Sequence, residues 1–250
     1  MANKDSAGKV SKNATKAKTS SKKTNVNSPK ANKNKTNQRN IIVFGAHSDD
    51  FVLGAGGTIA NYRKEKKNIT CIVFSYGEMS HPWLKEKEVQ KMREKEAQKA
   101  SEVLGCKIIF FQLKEGNFME GAMQQDIVKT ILKIVKQKKP IKVFTHSSED
   151  PHPDHKAVNT LTLQIYEELE DNLKPEVYVY SVWNPVEFKT KAPALIIDIT
   201  ETFKKKIEAF RKFKSQKVHT AYPIFIATYR AIKDGFRIRK RFAEKFFRIK

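Results

Sequence analysis

In IIVFGAHSDDFVLGAGGT, residues 41–58, an apolar run with the profile of a buried strand stops at His47. Ser48, the adjacent carboxylates Asp49 and Asp50 and a glycine-rich segment follow at once. A strand ending on a histidine and two acids carries them at its carboxyl end, where parallel α/β sheets bind ligands. Gly54, Gly56 and Gly57 are expected to let the backbone turn tightly and come close to that ligand.

Downstream, strand-like and helix-like segments alternate. Residues 55–66 read as a helix, 69–75 as a second strand and 85–104 as a long charged helix stopped by Gly105. A third strand is expected over 107–112, a helix over 123–138 ended by Pro140, a fourth strand over 141–145 and a helix over 154–170. Such alternation predicts βαβ units: an α/β, Rossmann-like fold with a mostly parallel sheet flanked by helices. Further on, 176–181 alternates, 194–199 is aliphatic and 200–214 returns to helical periodicity. Residues 224–233 and 239–247 read as helices with Phe and Ile on one face, a pattern that first suggests packing on the domain itself and second a membrane-surface helix.

Composition divides the chain. Residues 1–40 carry eleven Lys or Arg against the lone acid Asp5 and almost no large apolar side chain, so a disordered basic tail is expected there. The other 210 residues, 41–250, have ordinary globular composition and suffice for one core. The +22 net charge is shared between the two parts. The tail reads first as a solvated appendage, and second as a weak, salt-sensitive contact with nucleic acid or an anionic membrane. Cys71 and Cys106 read as thiols in a reducing compartment, no run approaches the ~20 apolar residues that span a bilayer, and no secretory leader is visible. The expected location is cytoplasmic.

The fourth strand ends near His146, and THSSEDPHPDHKAV follows. In a doubly wound sheet the first and fourth strands are neighbours at the switch point, so the two polar clusters would share one crevice. Together they hold His47, Asp49, Asp50, His146, Glu149, Asp150, His152, Asp154 and His155. Imidazole and carboxylate at this density suit a zinc-type ion with one position open to water. His47 and Asp50, three apart, can converge on it, a third ligand coming from the second cluster. A remaining acid such as Asp49 can serve as general base, and a spare histidine can polarise or protonate the reacting group. His81 and His219 read as ordinary loop histidines.

These residues resemble the LmbE/PIG-L family of zinc-dependent N-acetyl-sugar deacetylases, whose motifs are A-H-P-D-D-E followed by G-G-T, and H-P-D-H. The chain has AHSDDF, then GGT at Gly56–Thr58, and HPDH at His152–His155. Arg93, Glu96, Ala100 and Leu104-Gly105 look like the family's R-x-x-E…A…L-G helix. Lys206-Ile207 with Ser215-Gln216 resembles its late helix, and Ala243-Glu244 its closing A-E-x-F. The similarity spans about residues 41–247.

The resemblance implies Zn2+ held by His47, Asp50 and His155, with Asp49 as the base that takes a proton from water. It makes His152 the group that stabilises the oxyanion or protonates the leaving amine, Asp154 the residue that orients His152, and Arg93 a substrate contact. The implied activity is removal of an acetyl group from an N-acetylated amino sugar or sugar conjugate. A binding-only module anchored by its basic tail and C-terminal region is the alternative. Ser48 replaces the usual Pro, Phe51 the usual Glu and Phe213 a frequent His, without removing an expected ligand. Glu78, His81, Trp83, Glu115 and Asn117, after the second and third strands, are expected to line a sugar site or to pack; the sequence leaves the substrate and the oligomeric state open.

Overall fold

Hydrophobic runs of four to six residues, each buried on both faces, form the centre of the molecule. A computed structural model describes residues 39–81, 83–184, 192–216 and 221–250. The expected tail, residues 1–38 of it, and His219 lie outside the described residues.

Strand β1 (Asn40–Gly45) sends Ile41 and Val43 into one apolar cluster and Ile42 and Phe44 into the other, which is what alternation along an all-apolar strand dictates. β1 pairs in parallel with β2 (Asn68–Val73) on one side and with β4 (Lys142–His146) on the other. β3 (Lys107–Phe110) continues the parallel sheet beyond β2, and β5 (Glu176–Tyr180) beyond β4. The strand order is β3-β2-β1-β4-β5-β7-β6, with β7 (Ala243–Arg248) antiparallel to both β5 and β6 (Ala194–Asp198). The order reverses between β1 and β4, so the two polar clusters do meet at one crevice.

Helices cover both faces: α1 (Asp50–Lys64), α2 (Glu86–Leu104), α3 (Phe118–Gln124), α4 (Ile127–Lys138), α5 (Pro153–Glu167), α6 (Phe203–Phe210) and α7 (Ala221–Arg237). α2 buries Val89, Arg93, Ala97, Ala100 and Leu104 at three- and four-residue spacing and ends at Gly105 with φ 75°, a left-handed stop that suits glycine. Where one helix was expected over 123–138 there are two, separated at Asp126, whose φ of 49° interrupts the spiral.

Two expectations are corrected. The glycines after the first strand do not form a turn: α1 starts at Asp50 and contains them. A Cβ on Gly54 would lie 2.2 Å from the Tyr180 ring, and one on Gly57 2.6 Å from Ile199, so these glycines let α1 press against the sheet and the chain entering α6. The segment 239–247 is not a helix, because residues 243–248 form β7 between β5 and β6.

The two corrections are linked by Lys206 and Glu244. α1 is kinked at Ala55 (φ −141°, ψ 15°), which disturbs its hydrogen-bond ladder. The Glu244 carboxylate accepts from Gly57 N at 3.1 Å and Thr58 N at 2.7 Å. Lys206 Nζ donates to Leu53 O at 2.8 Å and to Glu244 at 2.6 Å. This buried ion pair thus satisfies the backbone groups at the kink.

Candidate metal centre

β1 ends at Gly45 and α1 begins at Asp50, so His47, Ser48 and Asp49 occupy the short connection over the carboxyl edge of the sheet. His47 N donates to Asp50 Oδ2 at 2.7 Å, which folds the connection back on itself. On the other side, α5 opens on PDH, with Pro153 at its first turn and His152 as its cap; His152 Nδ1 accepts from Asp154 N at 3.2 Å. Both halves of the constellation therefore stand at helix N-termini that abut one crevice.

His47, Asp50 and His155 each offer a ligand atom, and these atoms lie within 4.8 Å of one another. Two further triplets meet the same limit, His47 with His152 and Asp154, and His146 with Asp150 and His155. Both ring nitrogens of His155 are buried and neither meets hydrogen-bond geometry among the described residues; Nε2 lies 3.4 Å from Asp50 Oδ2. Its Nδ1 lies 3.0 Å from Asp150 Oδ1. Asp150 is itself fixed by Ser181 Oγ and Val182 N, both at 2.8 Å. A carboxylate behind one imidazole nitrogen and an unpartnered nitrogen in front is the arrangement by which proteins orient a metal-binding histidine. The donor set of two imidazoles and a carboxylate fits a divalent ion of the zinc type.

The charges of the site agree with a place for a cation. Burial pushes the His47 pKa down, but hydrogen bonds to Asp154 and Asp50 and the charges of Asp50 and Glu115 outweigh it and raise it to about 10. Burial pushes Asp50 up, and the facing His155 and His146 bring it well below the usual carboxylate range. His146 falls to about 4 through burial and the charge of His155. Burial and the charges of His47 and His155 lower His152 as well. Burial pushes His155 down too, but the charges and close contacts of Asp50 and Asp150 outweigh it and raise it. The acids thus favour positive charge at His47 and His155, while His146 and His152 are pushed toward the neutral form.

A cavity of about 300 Å³ opens over these groups, and His47, Asp49, Asp50, Arg93, Glu115 and His152 line it. Arg93 is buried; Nε donates to Ser48 Oγ at 2.9 Å and Tyr76 O at 2.5 Å, and Nη2 to Asp49 Oδ1 at 3.2 Å. Its visible work is to hold the Asp49 turn, and Ser48 supplies an acceptor there that proline lacks. Asp154 was expected to orient His152. Its carboxylate accepts from Gly116 N at 2.9 Å, lies 3.1 Å from His47 Nε2 and has an oxygen within 4.8 Å of a His152 ring nitrogen, and its amide donates to His152 Nδ1.

Phe51 and Phe213 are both in the apolar core. Glu96 accepts from Ser215 N and Oγ, and the neighbouring Gln216 lines the cavity and donates to Ser80 Oγ at 2.9 Å. Of the loop residues, Glu115 lines the cavity, while Trp83 is 72% exposed and is not among the residues that line it. Trp183 lines the wall instead. Sequence reasoning placed Asp150 in the second polar cluster without giving it the orienting role, and passed over Trp183, whose signal was its place just past the carboxyl end of a parallel strand.

Residues 42–166, half of the 250-residue chain, match the family model PIG-L, GlcNAc-PI de-N-acetylase. The chain belongs to the PIG-L family. It is an enzyme of that amide-hydrolase family. A probable N-acetyl-alpha-D-glucosaminyl L-malate deacetylase 2 of Bacillus anthracis is 25% identical over 186 residues, 72% of this chain and 82% of that protein. A 4-oxalmesaconate hydratase of Pseudomonas putida is 28% identical over 215 residues, 79% of this chain and 82% of that enzyme. The solved N,N'-diacetylchitobiose deacetylase of Pyrococcus horikoshii shares the fold, with a TM-score of 0.70 at 22% identity, covering 84% of each chain. The PIG-L fold therefore carries both deacetylases and a hydratase. Among the described residues no helix is long and apolar enough to cross a membrane.

Proposed function

We propose that this PIG-L enzyme is a zinc-dependent deacetylase acting on an N-acetylated amino sugar or sugar conjugate. The observation that carries the reading is the convergence of His47, Asp50 and His155 ligand atoms within 4.8 Å at the floor of a cavity also lined by Asp49 and His152. The deacetylase of Bacillus anthracis supports the substrate class. When bound, zinc supplies a Lewis acid that makes water acidic enough to attack near neutral pH and polarises the amide carbonyl.

In this reading His47, Asp50 and His155 hold the ion. Asp49, kept in place by Arg93, takes the proton of the attacking water. His152 has Nδ1 engaged by the Asp154 amide, which leaves Nε2 as the ring's proton-bearing atom. That N–H stabilises the oxyanion that develops on the acetyl carbonyl. The proton that Asp49 took passes to the leaving nitrogen, the C–N bond breaks, and acetate and a free amine result. Residues 39–250 form the catalytic domain, since Arg39 and Asn40 already bond to the sheet and its flanking segments, and residues 1–38 are dispensable for turnover.

The relationship to the hydratase favours one rival, addition of water across a carbon–carbon double bond. Metal analysis of the purified full chain, followed by assays on N-acetylglucosaminyl conjugates and on 4-oxalmesaconate, separates the two. The expected result is about one zinc per chain and amine release that a chelator abolishes and zinc restores. Hydration without amine release, or a metal-free chain that still turns over, would overturn the reading.

A further inference from the structure

Helix α7 carries Tyr222, Phe225, Tyr229, Ile232 and Phe236 at alternating three- and four-residue spacing, which places them in one stripe. All five are exposed, Phe225 at 69% and Phe236 at 84%. The stripe covers fourteen residue steps, about 21 Å along the helix axis. The opposite side of α7 is buried through Ile226, Ala231 and Asp234, so the helix is already docked on its domain by another face. A monomeric enzyme gains nothing in stability from five large apolar side chains in water, and such a row marks an interaction surface.

The charges around the stripe decide what it meets. Residues 221–250 contain nine Lys or Arg and two acids, Asp234 and Glu244. Both acids are buried, so the exposed charges of this stretch are positive, including Arg237, Arg239, Lys240 and Arg241 beside Phe236. A second copy pressed on the stripe would bring like charges together. An anionic lipid surface satisfies both features, because aromatic and aliphatic side chains enter the boundary between headgroups and acyl chains while the flanking cations meet the headgroups.

The stripe also begins at the active-site wall. The Tyr222 ring is stacked on Trp183 with centroids 6.4 Å apart and planes at 21°, and Trp183 lines the cavity. Arg230, from the same helix, donates to Ser181 O at 2.8 Å next to it.

We infer that α7 is a membrane-surface helix that docks this enzyme on anionic bilayers, with the cavity wall next to the docking face. The inference does not depend on the reaction catalysed. The test is co-sedimentation of the full chain with phosphatidylglycerol and with phosphatidylcholine vesicles, for the wild type and for Phe225→Ser with Phe236→Ser. Both side chains are exposed, so the variant is expected to keep its circular dichroism and melting midpoint. The expected result is at least tenfold stronger partition onto phosphatidylglycerol than onto phosphatidylcholine, lost at least tenfold in the variant.

Equal partition of wild type and variant would assign vesicle binding to the basic N-terminal residues and overturn the inference. So would indifference to vesicles combined with a wild-type dimer, seen by light scattering, that the substitutions dissolve. Binding of a polyribonucleotide, abolished by the same substitutions without vesicle binding, would overturn it too.

Discussion

β1 and β7 are six-residue strands in the same sheet, and they reach that state by opposite routes. β1 reads NIIVFG, and its apolar residues fill the cores on both sides, so its own composition specifies a central strand. β7 reads AEKFFR, in which Ala, Glu and Lys favour a helix and Phe246 stands four residues after Phe242, a helical spacing. It becomes a strand because β5 and β6 offer it ladders on both edges and Lys206 receives its one acid. A strand buried by its own residues can be recognised locally; one fixed by distant partners cannot.

Both strands act on α1, from different ends. β1 delivers Asp49 and Asp50 to its first turn, and β7 delivers Glu244 to its kink at Ala55. In the proposed mechanism the first contribution is chemical, whereas the second is structural, so the two separate under mutation. Asp49→Asn is expected to lower turnover about 10²- to 10⁴-fold, the range for loss of a general base, with the melting midpoint nearly unchanged. Steady-state kinetics beside calorimetry read both quantities. Comparable loss of stability would mean that Asp49 is a structural partner of Arg93 and nothing more.

Lys206→Ala strikes the other strand's contribution. It leaves Glu244 buried without its cation, although two backbone amides still donate to it. A cost of about 3 kcal/mol is expected, a fall of about 6–12 °C in melting midpoint for a domain of this size. Enzyme that remains folded at low temperature should retain its turnover number; a selective loss of turnover would move Lys206 into the catalytic machinery.

The smallest expected effect is at Trp83. Trp83→Ala removes an exposed side chain that is not among those lining the cavity and should change stability by less than about 0.5 kcal/mol, with kcat/KM unchanged. Trp183→Ala, on the cavity wall, is the control that should raise KM. Reversal of this order would show that the loop after β2 closes over the substrate.

Much of the parallel half was legible in residues 41–180. Apolar runs, helical periodicity and the glycine stop at Gly105 are local signals, and they gave the strand order its first and fourth neighbours. The grouping of His47, Asp49 and Asp50 with the HPDH segment followed, because residues at the carboxyl ends of adjacent parallel strands have one crevice to share. Boundaries were less clear: α1 starts five residues before its expected start, since helix formation began directly at Asp50 while the glycines suggested a turn.

The sequence by itself determined the α/β alternation, the strand ends that carry the polar clusters and the set of side chains available to a metal. The tertiary structure alone decided that the α1 glycines admit Tyr180 and Ile199, that the Asp154 carboxylate meets Gly116 and His47, and that β7 is a strand. The reason is the range of the interactions. A hydrophobic period or a left-handed glycine is written within a few consecutive residues, whereas Gly54 with Tyr180, His47 with Asp154 and Glu244 with Thr58 join residues more than a hundred apart. Which of several competent partners such a group takes is settled only when the sheet has brought them together.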